Sequence, residues 1–496
     1  MNHTINRLLH FGLQQNLFAE EDYDYVANLV LDVLKINVFC YELIEERLDT
    51  ATPLLEELLE NVIQRGLIED TIGQRDLFDT KIMNCLMPRP SEIIKLFNQK
   101  YQNSPKEAMD YYYHLSLASN YIRKERINKN INFKKYYKYA TFDITINLSK
   151  PEKNSKEIIA AKLIKSSNYP KCLLCKQNVG FSGNLKHPSR VNHRIIPVSL
   201  DNDLYYLQYS PYLYYHQHCI ILNKEHIPMI IDKKTLQHLV SFVELFPHYM
   251  IGSNADLPIV GGSILSHDHY QGGYYHFPIQ DAKIIKSLRL QDFPDIQIEL
   301  LNWPLSTIRL TAEYKENIVE LANLLLKRWK QYSNPSLDII AFSHDTPHNT
   351  ITPIARRVNH QYQIDLILRN NRTTKQYPDG IFHPHASLHH IKKENIGLIE
   401  AMGLAILPSR LQIELELLKD CLLGNKVIHE YPELDKHKDW FYELQQTYRI
   451  SKETITDTIQ EAITIKFVKV LEDAGVFKMN DQGIQAFIEF VEGVSL

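Results

Sequence analysis

Residues 252–273 read GSNADLPIVGGSILSHDHYQGG, and the interpretation of the chain works outward from them. Four of the 17 glycines stand at 261, 262, 272 and 273, so the backbone there turns tightly or comes close to a ligand. Between the two glycine pairs lies His267-Asp268-His269-Tyr270-Gln271. Histidine-x-histidine alone is a weak signal: 22 histidines scattered over 496 positions give roughly one such pair by chance. The chain has three, at 216/218, 267/269 and 383/385, and only the second has a glutamine two residues on and glycines on both sides. On an extended strand, positions 267, 269 and 271 project from one face at intervals of about 6.6–6.8 Å. Ordinary core or surface histidines are the bland alternative. The chemical reading is a neutral imidazole that attacks phosphorus while a neutral carboxamide steadies a non-bridging oxygen.

Histidine is abundant elsewhere, whereas cysteine is sparse. Six cysteines in 496 residues exclude a disulfide scaffold, and only Cys172 and Cys175 form a close pair. C-x-x-C without a Trp-Cys-Gly context argues against redox chemistry and leaves zinc or chance. His226, in LNKEHIP after a strand, and His267 are placed to complete a tetrahedral site.

Composition narrows the class. Hydrophobic residues make up 44% and charged residues 23%, which is globular usage, and 55 basic against 59 acidic residues give a net charge of −4. Nothing global calls for nucleic acid or an anionic membrane. The longest apolar run, around 396–407, is broken by Gly397, Glu400 and Gly403, too short for a membrane helix. The start, MNHTINRLLHFGLQQ, carries no export signal, so a cytoplasmic location is expected.

Periodicity gives a helical region over 1–128, a mixed region from about 157 to 410, and a helical region from 411 to 496. The helical pattern is carried by Tyr25, Leu29, Val30, Val33 and Leu34, then by Leu54, Leu55, Leu58, Leu59 and Ile63. A basic stretch over 123–138 reads as a solvated face in preference to a phosphate contact, and Phe142, Ile144, Ile146 and Leu148 alternate as a strand. PEKNSK, at 151–156, reads as a linker. Further strands are expected over 212–215, 219–222, 337–342 and 362–368, with helices over 235–246 and 317–329. That alternation argues α/β or α+β around a central sheet. No chemistry attaches to 1–128.

The C-L-L-C pair, Glu225-His226 after a strand, and G-G-S-x-x-S-H-D-H-Y-Q-G-G together resemble galactose-1-phosphate uridylyltransferase of the class II, Firmicutes-type branch of the histidine triad superfamily. The resemblance extends through 144–153, 178–197 and 382–410. It implies two histidine-triad-like halves, 129–280 and 281–410, around a mostly antiparallel sheet, with helical terminal regions over 1–128 and 411–496. By resemblance, His269 is the nucleophile, Gln271 the phosphate-binding amide, and Cys172, Cys175, His226 and His267 the ligands of a structural zinc. His383 and His385 match a second histidine pair on the sugar-phosphate side, Lys393 a lysine on the hexose phosphate, and Asn254 an asparagine on the phosphates. Asn192 and Arg194, in RVNHRIIP, match a uridine or diphosphate contact, with a plain surface role as the alternative. The class I branch carries a glutamate metal ligand after the glutamine; Gln280-Asp281-Ala282-Lys283 offers no match, which counts against a second metal.

The implied reaction is transfer of UMP from UDP-glucose to galactose 1-phosphate through a uridylyl-histidine, a step of galactose catabolism. The partners would be small molecules, a UDP-sugar and a hexose 1-phosphate, with no nucleic acid and no membrane; a homodimer is a compatible assembly. A dinucleotide phosphorylase or nucleotidyl hydrolase would share H-x-H-x-Q. A zinc-stabilised nucleic-acid-binding module would use the cysteines and the basic stretch, and the net charge weighs against it.

Overall fold

The computed structural model describes residues 1–149, 169–262 and 264–494; the linker expected at 151–156 lies outside them. The chain divides into two compact units, one formed by 1–129 and 149–227, the other by 130–148 and 228–496. Helices and mostly antiparallel strands are mixed, and both terminal regions are helical, as expected.

In the first unit, six helices of 12–14 residues run from Asn2 to Ala118. Two of their starts follow capping chemistry: Thr71 accepts the N–H of Gln74, and Ser104 accepts that of Glu107 with Pro105 in the first turn. Helix Thr52–Gln64 buries Leu54, Leu55, Leu58, Leu59 and Val62. Helix Tyr23–Leu34 buries Val26, Ala27, Val30 and Leu34, so its inner face is rotated from the expected one and Tyr25 points to solvent. An antiparallel meander of Ile196–Leu200, Asp203–Tyr209 and Cys219–Asn223 completes this unit. Its first hairpin turns on Asp201 and Asn202, both with positive φ, the conformation a two-residue hairpin loop requires. Tyr112, on helix Pro105–Ala118, donates to the carbonyl of Arg194, and Tyr209 donates to that of Met109, binding helix to meander.

The strand expected over 212–215 is a turn. Leu213 has φ 41°, outside the extended range, and the tyrosines on either side of it stack on each other.

In the second unit, strands His269–Gly273, Met250–Gly252, Asn349–Val358, Gln361–Asn370, Thr307–Ala312, Gln297–Leu301 and Ile284–Leu288 lie side by side in that order, each neighbouring pair antiparallel. Helix Lys233–Leu245 and helix Lys315–Gln331 form close to where their periodicity predicts. Trp329 holds the second to the strands by donating to the carbonyls of Thr350 and Arg369. Inside the sheet, the wholly buried Asp365 accepts from Arg309 at 2.7 and 3.0 Å and from Arg356 at 2.6 Å. A hairpin, Ile131–Tyr137 with Ala140–Ile146, pairs in parallel with Leu404–Leu407.

The strand expected over 337–342 is also absent. Pro335–Leu337 forms a 3-10 turn, Asp338 has φ 60°, Ile339 makes an isolated bridge with Asn334, and Phe342–Ser343 pairs with Thr346–Pro347. Much of the basic stretch is paired within the protein: Arg123 with Asp79, Arg126 with Asp76, Lys134 with Asp143, Lys135 with Asp457 and Lys138 with Glu472. Among the described residues, no helix is long and apolar enough to cross a membrane.

Candidate active site and metal-ligand cluster

Strand His269–Gly273 pairs through Gln271 with Gly252, whose missing side chain is a packing requirement. A Cβ at Gly252 would come within 2.8 Å of Leu398 and 2.9 Å of the Pro353 carbonyl oxygen. On this strand, Tyr270 bonds its hydroxyl to Nδ1 of His238, on helix Lys233–Leu245, at 2.9 Å. Strand alternation therefore sends His269 and Gln271 to the opposite face from Tyr270.

His269 is buried, and its Nδ1 lies 2.8 Å from the carbonyl oxygen of His267. A carbonyl only accepts, so Nδ1 carries the proton and Nε2 carries the lone pair. Burial lowers the His269 pKa below the ordinary imidazole value, opposed by the bond to the His267 carbonyl and by Asp268. The result is a neutral imidazole whose free lone pair is on Nε2. The strand begins at His269, not at 267. The expected extended run is thus shorter, and the residues before it bend so that the His267 carbonyl turns back onto the His269 ring.

Asn254 is fixed by its carboxamide oxygen, which accepts the N–H of Leu398 at 2.9 Å. Its side chain lies beneath Gly262, where a Cβ would meet Asn254 Nδ2 at 2.8 Å. The amide nitrogen is the atom left to donate to a ligand.

His383 and His385 differ in surroundings. His383 is buried and contacts the side-chain oxygen of Asn395 and the carbonyl of Pro384, both at 3.2 Å, and burial lowers its pKa. His385 stacks on Tyr377 and bonds the Ile381 carbonyl through Nε2. Lys393 is exposed, whereas neighbouring Lys392 is buried against Glu400 and the carbonyl of Ile406.

Asn192 and Arg194 are both buried, which removes the surface reading. Arg194 donates to the carbonyls of Pro88, Val191 and His193 and to the side chain of Asn84. Asn192 donates to the Ser119 carbonyl, and its own side-chain oxygen is buried without a partner.

The sulfurs of Cys172 and Cys175 lie 3.6 Å apart, and the Cys175 sulfur lies 3.2 Å from Nδ1 of His226. With His267 they form a group whose candidate ligand atoms all lie within 4.8 Å of one another. Tetrahedral zinc with bonds of about 2.3 Å to sulfur and 2.0–2.1 Å to nitrogen requires ligand separations of this order. The donor chemistry agrees. Burial pushes the Cys172 thiol up to about 11, so a dication is what would stabilise two thiolates here, and the N–H of Leu174 already points at the Cys172 sulfur at 3.4 Å. Asp281, from the segment compared with the class I glutamate, is exposed and bonds His276 instead.

Two features were not anticipated. Asp473, from the helical C-terminal region, accepts the backbone N–H of His385. Further along, His390 and His437 face each other through Nδ1 atoms 2.8 Å apart, and His437 Nε2 bonds Glu414, which also binds Arg410 and Lys436. The adjacent His389-His390 pair was a visible signal for the second feature, whereas Asp473 had none.

The amino-acid sequence matches the family described as galactose-1-phosphate uridyl transferase, N-terminal domain, over residues 16–228 and the corresponding C-terminal domain over 242–441. The chain belongs to this family. Galactose-1-phosphate uridylyltransferase of Clostridium acetobutylicum is 52% identical, covering 99% of both chains. That of Clostridium perfringens strain 13 is 48% identical over 100% of this chain and 99% of its own. A relative of the same description from Caldanaerobacter subterraneus subsp. tengcongensis is 49% identical over 98% of this chain and 97% of its own. Within the galactose-1-phosphate uridyl transferase match, Cys172, Cys175 and His226 fall in the N-terminal span and His267, His269 and Gln271 in the C-terminal span.

Proposed function

We propose that this enzyme transfers UMP from UDP-glucose to galactose 1-phosphate, yielding UDP-galactose and glucose 1-phosphate. The observation that carries the reading is the bond from His269 Nδ1–H to the His267 carbonyl, which leaves Nε2 as a neutral nucleophile. In this reading, Nε2 attacks the α-phosphorus, a P–N bond forms, and the P–O bond to glucose 1-phosphate breaks. The sugar phosphate, with a second pKa near ~6, is largely a dianion at neutral pH, and its oxygen then displaces the imidazole without a strong base. Gln271 steadies the phosphoryl oxygens, with Asn254 donating through its amide nitrogen. The metal held by Cys172, Cys175, His226 and His267 is zinc in this reading, and its task is structural. His383, Lys393 and Asn192 serve substrate; His385 and Arg194 are engaged with protein groups and support the residues that do. We also infer a cytoplasmic location, where charged nucleotide sugars and sugar phosphates are retained.

The test is incubation of the protein with UDP-glucose alone, followed by intact mass. Gain of one UMP with stoichiometric release of glucose 1-phosphate is expected; turnover without any labelled protein would remove the two-step mechanism.

A further inference from the structure

A carboxamide has one end that donates and one that accepts, and only the donating end serves an anion, so the orientation of Asn254 decides whether it attracts or repels a phosphate. That orientation is set by a backbone amide. The N–H of Leu398 lies 2.9 Å from Asn254 Oδ1, and a half-turn of the carboxamide would set its NH2 group against this N–H. Leu398 opens the short helix Leu398–Ala401, and N–H groups at a helix start have no carbonyl of their own turn to bond. The N–H of Gly397 goes to Glu400 Oε2 at 3.2 Å, and that of Leu398 goes to Asn254. The two acceptors stand side by side: a Cβ on Gly397 would lie 3.2 Å from Asn254 Oδ1 and 3.2 Å from Glu400 Oε2.

A carboxylate is the stronger acceptor, and a free one at this turn would take both N–H groups from a neutral amide. Glu400 is not free. Its other oxygen, Oε1, accepts from Lys392 Nζ at 2.9 Å, and the same ammonium donates to the Ile406 carbonyl at 3.1 Å. Lys392 is buried, so the pairing is held out of water and against strand Leu404–Leu407. On the other side of the turn, Arg369, also buried, donates through Nη2 to the carbonyl of Ile396 at 2.8 Å. The peptide before Gly397 and the carboxylate after it are thereby fixed by separate cations. An apolar pair would fill this position at less desolvation cost; what the ion pair adds is a single geometry.

We propose that Lys392 and Glu400 are positioning residues for the phosphate contact: Lys392 holds the Glu400 carboxylate on Gly397 and off Leu398, so that Asn254 keeps its oxygen inward and its amide nitrogen toward substrate. The inference rests on the reading of Asn254 as that contact. Its test is UMP labelling by UDP-glucose at mildly alkaline pH, where Glu400 stays ionised. Lys392→Met should raise the UDP-glucose concentration that half-saturates labelling by about tenfold, and Lys392→Met/Glu400→Gln should recover most of that loss, because a neutral amide accepts from Gly397 without displacing Asn254. In an Asn254→Ala background, which weakens half-saturation by itself, Lys392→Met should add nothing. Gly397→Ala, whose methyl presses on Asn254 Oδ1, gives a second route to the same loss and should also be silent beside Asn254→Ala. Glu394→Gln removes the exposed carboxylate 3.6 Å from Lys392 and should change nothing. Normal half-saturation in both Lys392→Met and Gly397→Ala, losses that persist in the Asn254→Ala background, or a Lys392→Met/Glu400→Gln variant no better than Lys392→Met would each overturn the proposal. An original protein that takes up no UMP, or an Asn254→Ala variant that half-saturates normally, would instead remove the reading beneath it, and the proposal with it.

Discussion

Asp473, near the end of helix Ile455–Ala474, accepts the backbone N–H of His385 at 3.0 Å and lies 3.4 Å from that residue's Nδ1. The helical C-terminal region thereby fixes the segment that carries both His383 and His385. Asp473→Ala should lower stability by about 1–3 kcal/mol, the loss expected when a charge-assisted bond is removed. It should also reduce kcat/KM toward galactose 1-phosphate more than it slows labelling by UDP-glucose. Equal losses in the two half-reactions would place its effect elsewhere.

For the covalent step, His269→Gly should abolish labelling, and added imidazole should restore some turnover by occupying the space left behind. Gln271→Ala should still label, but with a loss of about 2.7–4 kcal/mol of transition-state stabilisation by analogy with an oxyanion donor. Normal labelling of His269→Gly, measured by intact mass, would move the nucleophile to another residue.

Metal content provides a third check. Purified protein should hold about one zinc per chain, and Cys172→Ser should lower both metal content and thermal midpoint. Full occupancy in a Cys172/Cys175 double variant, by elemental analysis, would remove these cysteines from the site.

Stability should decline on acidification because of His390 and His437. Burial lowers both pKa values, that of His390 to about 3, with Lys436, Lys466 and Arg410 acting in the same direction and Glu414 opposing it at His437. The unfolded chain takes up protons near pH ~6.5 where the folded chain does not, so stability is full above that value and falls below it by up to about 1.4 kcal/mol per pH unit per proton. Geometry gives the same sign. Glu414 accepts from His437 Nε2, so the two facing Nδ1 atoms share a single proton, and a second would set N–H against N–H. Urea midpoints measured between pH 7 and 5 should therefore decline, and His390→Gln should flatten the decline.

How legible this was depended on whether the signal was local. The 252–273 segment could be read because its glycines answer close approaches within that segment and to Leu398, and helix Lys233–Leu245 because its apolar face repeats along one element. Aromatic and aliphatic composition misled at 212–215 and 337–342, where Leu213 and Asp338 adopt positive φ, a conformation aspartate tolerates and leucine seldom takes. Lys392 and Lys393 are indistinguishable in sequence, and the approach of Glu400 and the Ile406 carbonyl makes one of them a buried cation. Asp473 lies 88 positions from His385, beyond the reach of any periodicity.

The buried trio of Asp365, Arg309 and Arg356 carries a further implication, one for descent. Losing Asp365 strands two buried cations, a change typically worth about 3–5 kcal/mol, whereas losing one arginine leaves a matched pair, and replacing all three by well-packed apolar residues is often neutral. Arg309 also donates to the carbonyls of Ile279 and Gln280, tying the trio to the turn that follows the strand bearing His269. Asp365 is thus the position least free to change first: its isolated substitution would be purged before the arginines could follow, whereas either arginine can be exchanged while the other still holds the carboxylate.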